Sequence, residues 1–342
     1  MIQVKRPLKE YLVYFLFPLA IFYWGVMYWR NLFYRYGFFV SRRLPCDVIS
    51  VGNITVGGTG KTPTVIFLAQ YFKRMGKKVA VLSRGYGRTT KGTVLVSDGK
   101  EIKVHWKESG DEAFLISKKL SRVPVVVDED RFRGGMFLMR QFNPDIILLD
   151  DGFQHRGLER DLDLVLVNSG DTIPDHKLLP YGLLREPWIN IKRGSAILLT
   201  KTNLIKPKPY LLRKVNETGL PILYLSVHPS ISSVSPNAPS NNNGRTVFIA
   251  SAIGDSLGFN LTVAKMGFAI SGEKTFPDHF NYSQSDWKNV ESLSSKADYI
   301  ITTEKDWVKV DSFNIKKPVI VVGMDVEIQP KKKLDYLLKS CL

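Results

Sequence analysis

The sequence predicts an α/β fold: a phosphate-loop domain built on a parallel sheet, a smaller α/β domain joined to it by a hinge, and an apolar helix ahead of both. Three observations carry the expectation. Short apolar runs alternate with helical segments from Cys46 onward, the pattern of a parallel sheet with crossover helices. The stretch VGNITVGGTGKTP, Val51 to Pro63, sets a glycine turn between a strand and a helix. The run YLVYFLFPLAIFYWGVMYW, Tyr11 to Trp29, contains no charged residue.

As a helix the N-terminal run is about 29 Å long, just enough to reach across a hydrocarbon core. It is too long and too aromatic for a signal peptide, and Arg30 and Arg35 follow where a cleavage site needs small residues. Residues 1–45 hold seven Lys or Arg against one acid, Glu10. Basic side chains flank the run on both sides, so both ends read as cytoplasmic. The expectation is a helix lying in or dipping into the inner leaflet of an anionic membrane, with bends at Pro18 and Gly25. A simple transmembrane span and a buried core helix are the alternatives.

Residues 46–227 read as the phosphate-loop domain. Its strand candidates are VISVGN, KVAVLS, VPVVVD, DIILLDD, LDLVLVN and SAILLT. The segment TPTVIFLAQYFKRMG reads as a helix that tolerates Pro63 in its first turn and stops at Gly76. Residues 228–342 read as the smaller domain. There HPSISSVSPNAPSNNNG, His228 to Gly244, is expected to be a surface loop, and TVFIASAI, DYIITTEKD and PVIVVGMDV are expected as strands. A length of 342 residues suits two such units. The formal charge of +16 and pI near 9.6 call for an anionic partner without choosing among nucleic acid, a phosphorylated substrate and an acidic membrane. Cys46 and Cys341, the only cysteines, have neither metal nor disulfide spacing.

The backbone N–H groups of Gly57, Gly58, Thr59 and Gly60, followed by a helix N-terminus, make an anion nest. Lys61 would reach the β and γ phosphates and Thr62 would hold Mg²⁺. A strict G-x-x-x-x-G-K-S/T pattern requires glycine where this chain has Thr55. The apolar strand PDIILLDD ends in Asp150 and Asp151, where a carboxylate facing Mg²⁺ belongs, and with the loop it predicts binding of a nucleoside triphosphate. A guanine-reading Asn/Thr-Lys-x-Asp is missing: its nearest match, Thr200 to Asn203, lacks the aspartate, which favours ATP over GTP. Partition-type ATPases place a lysine before the glycine pair, and this chain has Val56 there.

Seven motifs occur in order: VGNITVGGTGKTP, LSRGYGR, GDE, DDGFQHRGLERDLD, LLPYGLLREP, FPDHFNY and TTEKDWVK. Together they closely resemble the tetraacyldisaccharide 4'-kinase family, from the apolar N-terminus to near Lys309. In that family the shortened glycine loop is the normal form, which accounts for Thr55. The resemblance implies ATP, Mg²⁺ and an acylated glucosamine disaccharide 1-phosphate as acceptor. It also implies a place on the cytoplasmic face of the bacterial inner membrane, no nucleic acid partner, and a monomer.

The resemblance further implies a catalytic dyad of Asp111, from G-D-E, and His279, from P-D-H. The chemistry agrees, since a sugar hydroxyl attacking a γ-phosphate needs a positioned proton acceptor. Ser109-x-x-Glu112 also fits a capping box, which would make Asp111 a first-turn acid and nothing more. Asp150 and Asp151 would carry the metal-associated pair, with Gln154 and His155 at the same strand end and Glu112 assisting the metal. Arg84 would neutralise phosphate charge and Tyr86 would contact substrate or nucleotide. Arg185 and Glu186 would help to recognise the acceptor or form an exposed ion pair, and Thr303-x-x-Asp306 would cap the next helix. Ala113 stands where the family usually has proline, and Phe280 replaces a second histidine that frequently follows P-D-H. The competing functions are a membrane-bound phosphate-loop ATPase switch without a sugar acceptor and a basic membrane or nucleic-acid adaptor.

Overall fold

The structure, a computed structural model, describes residues 16–234 and 244–339. Its strands are β1 (Asp47–Asn53), β2 (Val79–Ser83), β3 (Val94–Ser97), β4 (Val125–Val127), β5 (Ile146–Asp150), β6 (Leu162–Asn168), β7 (Ala196–Thr200), β8 (Ile222–Val234), β9 (Thr246–Ser251), β10 (Ala269–Thr275), β11 (Tyr299–Thr303) and β12 (Val319–Gln329). All twelve join one sheet in the order β10-β9-β11-β12-β8-β7-β6-β1-β5-β2-β4-β3. Pairing is parallel except for β3 with β4 and β8 with β12. Strands β5, β6 and β7 are largely Val, Ile and Leu, and they and β1 are buried on both faces as parallel strands must be.

β1 is flanked by β5 and β6, so the chain crosses from one side of β1 to the other between those two strands. Such a reversal opens a crevice at the carboxyl ends of the strands, and Asn53, Asp150 and Ser83 occupy those ends. The helix Lys61–Arg74 packs Val65, Leu68, Ala69 and Phe72 onto the sheet; each large apolar side chain so buried contributes about 1.5–3 kcal/mol. This burial anchors the helix whose first residue is Lys61. Gly76 ends the turn beyond it at φ +79°, as expected.

Four expectations need correction. The segment after Val227 is not loop from His228: β8 continues to Val234 and pairs antiparallel with β12. Its pairing comes from a partner almost a hundred residues away, which Ser and Pro content cannot reveal; residues 235–243 of the expected loop lie outside the described part. β3 and β10 were not anticipated. Both are edge strands, and β10, reading AISGEKT, is mostly exposed and bulged between Ile270 and Gly272, so it lacks an apolar signature. The capping box at Ser109 does not form: Gly110, at φ +86°, is the N-cap of the helix Asp111–Lys119, and the capping box belongs to His105 and Glu108 one turn earlier. Finally, the N-terminal helix Phe17–Arg35 runs unbroken through Gly25, and Pro18 sits in its first turn, where a missing N–H costs nothing. Residues 11–15 of the expected run lie outside the described part.

That helix buries only Ala20 and Met27, while Phe22, Trp29 and Phe17 are exposed. It is tied to the body by Tyr23, whose hydroxyl donates to the Arg185 carbonyl at 2.5 Å, and by Arg156, which donates to the Asn31 side chain at 3.1 Å. Among the described residues no helix is long and apolar enough to cross a membrane.

Candidate active site

The carboxyl ends of β1, β2 and β5 open into a cavity of about 1010 Å³. The phosphate loop forms its floor. Gly57 and Gly60 adopt φ +112° and +89°, and no atom lies within 4 Å of a Cβ built on either, so it is the backbone conformation that requires glycine there. Gly60 caps the helix Lys61–Arg74 without any side-chain bond, which leaves the first-turn N–H groups open to an anion. Lys61 Nζ donates to the Asn53 side chain at 3.2 Å and lies 3.7 Å from Asp151. The loop Ile253–Asp255 covers the glycines from the C-terminal side: a Cβ at Gly254 would sit 3.6 Å from the Gly57 Cα. Asp255 there pairs with Lys201.

The two aspartates that follow one another in sequence occupy different environments. Asp150 is fully buried, with Ser83 Oγ at 3.3 Å from Oδ2 and no partner for Oδ1. Burial, then the charges of Glu112 and Asp151, push its carboxyl up to about 7. Asp151 turns away at φ +53° and accepts from Arg185 at 2.8 Å. Its burial is outweighed by Lys61 and Arg185, so its carboxyl lies below the usual range. A buried carboxylate oxygen with no donor suits a cation, and Thr62 borders the same cavity.

The turns LSRGYGR and GDE meet backbone to backbone. A Cβ on Gly85 would collide with the Ser109 carbonyl at 2.8 Å, and one on Gly110 with the Tyr86 carbonyl at 2.7 Å. This contact brings Arg84, Tyr86 and Glu112 onto one wall of the cavity. Arg131 joins them. It was missed in the sequence, yet it is only 2% exposed, donates to the Asp128 carbonyl at 2.7 Å and faces the charges of Asp150 and Asp151. The available signal was an arginine opening a helix directly after the strand VPVVVD.

Asp111 and His279 come together from opposite halves of the chain, with His279 Nδ1 3.0 Å from Asp111 Oδ2 and 3.1 Å from Oδ1. Asp111 is 4% exposed and also pairs with Lys309 Nζ at 2.9 Å. Burial alone would raise its pKa, but the His279 hydrogen bond and the charges of Lys305 and Lys309 outweigh this and hold it well below the usual carboxylate range. His279 has φ +60°, unusual for a non-glycine residue, and its ring packs 4.7 Å from that of Tyr86. Thr303 caps the helix Glu304–Val310 through Asp306, as expected, and that helix supplies both lysines.

Gln154 bridges sides of the site, donating to the Asn53 carbonyl at 2.8 Å and to Glu186 at 3.1 Å. Arg185 and Glu186 are not an exposed pair. Arg185 holds Asp151, while Glu186 is fully buried and accepts from Arg193 at 2.8 Å and Asn190 at 3.0 Å. Glu186 supports the loop from beneath. His155 borders the cavity, and burial followed by the Arg131 charge lowers it to about 4, so it is neutral near pH 7.

Residues 12–342 match the family described as tetraacyldisaccharide-1-P 4'-kinase. A tetraacyldisaccharide 4'-kinase of Chlorobaculum parvum is 40% identical over 303 residues, covering 86% of this chain and 83% of that protein. One from Aquifex aeolicus is 35% identical over 326 residues, covering 94% and 97%. The crystal structure of LpxK from Aquifex aeolicus in complex with ATP superposes with a TM-score of 0.78 at 34% identity, covering 96% of this chain and 99% of that one. With the ordered motifs and the shared fold, these matches establish that the chain belongs to the tetraacyldisaccharide 4'-kinase family.

Proposed function

We propose that this protein transfers the γ-phosphoryl group of ATP to the 4'-hydroxyl of a tetraacyldisaccharide 1-phosphate, a lipid A precursor, at the cytoplasmic face of the inner membrane. The observation that carries the reading is the 3.0 Å contact of His279 with Asp111 beside the cavity floored by Gly57 to Lys61. A hydroxyl held there meets a proton acceptor at the phosphate-binding end of a helix.

Lys61 and the first-turn N–H groups are placed to hold the β and γ phosphates, with Arg84 and Arg131 available to offset further charge. Thr62 and Asp150 fit Mg²⁺, because Asp150 offers an unpartnered buried oxygen. When bound, the ion draws negative charge off the transferring phosphoryl group. Asp151 holds Lys61 and Arg185 in place. Asp111 accepts the hydroxyl proton as the 4'-oxygen bonds to phosphorus and the bond to the leaving diphosphate breaks.

The exposed Phe17, Phe22 and Trp29 of the N-terminal helix suit an interfacial seat among acyl chains, with Arg30 and Arg35 near anionic headgroups. The parts of the chain before and after β8 close over the substrate, because Asp111 and the phosphate loop come from the first and His279 and the Gly254 loop from the second. The test is incubation of purified protein with ATP labelled in the γ position and the acylated disaccharide 1-phosphate. Label in the lipid supports kinase action; label released only as free phosphate favours a switch ATPase.

A further inference from the structure

The T-E-K-D segment has a fold role through its cap, yet its lysine is not needed for capping. Lys305 Nζ lies 3.1 Å from His279 Nε2, 3.1 Å from Asp278 and 3.4 Å from Glu112. Four residues on, Lys309 Nζ is 2.9 Å from Asp111 Oδ2 and donates to the Phe280 carbonyl at 3.2 Å. One short helix therefore sets an ammonium against each member of the dyad.

We infer that Lys305 is a positioning residue for phosphoryl transfer: it fixes His279 as the Nδ1–H tautomer, so that the ring donates to Asp111 and keeps no free lone pair for the acceptor hydroxyl. The inference rests on the dyad reading above. An ammonium has three N–H donors and no acceptor, so Nε2 must accept and carry no proton. The ring proton then sits on Nδ1, which faces both oxygens of the Asp111 carboxylate. An imidazolium would aim Nε2–H at an ammonium 3.1 Å away, while the nearest carboxylate on that side, Asp278, lies 3.9 Å from Nε2, beyond hydrogen-bond reach. A neutral Lys305 would accept a proton from Nε2–H, but it would lie unprotonated among Asp278 and Glu112. Those carboxylates, with Asp111, overcome burial and raise the Lys305 pKa.

The arrangement gives the dyad a direction. The proton leaving the 4'-hydroxyl has one acceptor, the Asp111 carboxylate, and His279 serves by orienting that carboxylate. The left-handed backbone of His279 and the Tyr86 ring 4.7 Å away hold the imidazole between Lys305 and Asp111. The same placement explains why a buried lysine, Lys309, and a half-buried one, Lys305, stand so near a proton acceptor. They keep the carboxylate ionised and aimed, and its proton affinity rises once acceptor and phosphate charge enter the site.

The experiment uses the full chain with ¹⁵N-labelled histidine. The five histidines give five ring spin systems, and the His279 signals are identified by their loss in His279→Gln. The expected result is a protonated, pyrrole-type Nδ1 and an unprotonated, pyridine-type Nε2. In Lys305→Met, Nε2–H should become populated, kcat should fall on the order of tenfold to a hundredfold, and KM for ATP should stay within about twofold. Lys305→Arg should keep the Nδ1–H signature and recover part of kcat. A wild-type His279 protonated on Nε2, alone or as imidazolium, overturns the inference, as does Lys305→Met with an unchanged tautomer. Should Lys305→Met fail to fold, the wild-type spectrum decides. Turnover of Asp111→Ala is measured separately: full activity there overturns the dyad reading, and this inference with it, whatever the tautomer.

Discussion

Lys61, the last residue of the phosphate loop, ends 3.7 Å from Asp151, which is itself held by Arg185 at 2.8 Å. The lysine is thus aimed before any nucleotide arrives. Its side chain adds little to the core, so Lys61→Ala should lower kcat by about a hundredfold or more while moving the thermal midpoint by no more than a few degrees. Steady-state kinetics beside a melting curve checks both halves.

Asp111 and His279 should behave as one unit. Each alanine variant is expected to lose about 10² to 10⁴ in kcat, and the double variant should be hardly worse than the more damaging single one. Multiplying losses would show that the two act independently.

Asp150 gives a prediction of opposite sign for stability and activity. Its folded-state pKa, near 7, lies above the unfolded carboxylate value of about 4. The folded chain therefore binds this proton more tightly. The resulting stability is complete below pH 4 and is lost as pH rises toward and through 7. Asp150→Asn removes the charge, so nucleotide-free protein should melt a few degrees higher than wild type at pH 8, and the gap should close toward pH 5. Phosphoryl transfer should be lost throughout. Paired melting curves at the two pH values read the effect directly.

The N-terminal helix can be tested without removing it, which matters because Tyr23 ties it to Arg185. Phe22→Glu with Trp29→Glu changes two exposed side chains. Sedimentation with vesicles of anionic phospholipid should show weaker binding for this variant, while the affinity for ATP stays unchanged. Equal sedimentation of variant and wild type would remove the interfacial role of that face.

Much of this was legible in the sequence because the relevant elements carry local signals. β1, the glycine loop and the helix from Lys61 are adjacent in the chain, and β5 runs apolar straight into Asp150. The less legible parts depend on distant partners. β8 extends through His228-Pro229-Ser230 because β12 lies beside it, and β10 survives as an exposed edge on β9 alone. The fates of Asp150 and Asp151 diverge through one left-handed residue, which composition does not show. Arg131 opens a helix just after the strand VPVVVD, but that local signal does not show that it faces Asp150 at the end of β5. The Asp111–His279 pairing was expected from the ordered motifs; their spacing of 168 residues carries no such information.

γ-Phosphate moves to a lipid-borne hydroxyl through a site built from both halves of the chain. The most direct measurement is single-turnover transfer of labelled γ-phosphate from ATP to the acylated disaccharide 1-phosphate, with lipid products separated from free phosphate, in wild type and in Asp111→Ala. Wild type should carry label at the 4' position, and Asp111→Ala should lose at least about a hundredfold of that transfer. Release of the label as free phosphate with none in the lipid, or equal transfer by the two proteins, would contradict it.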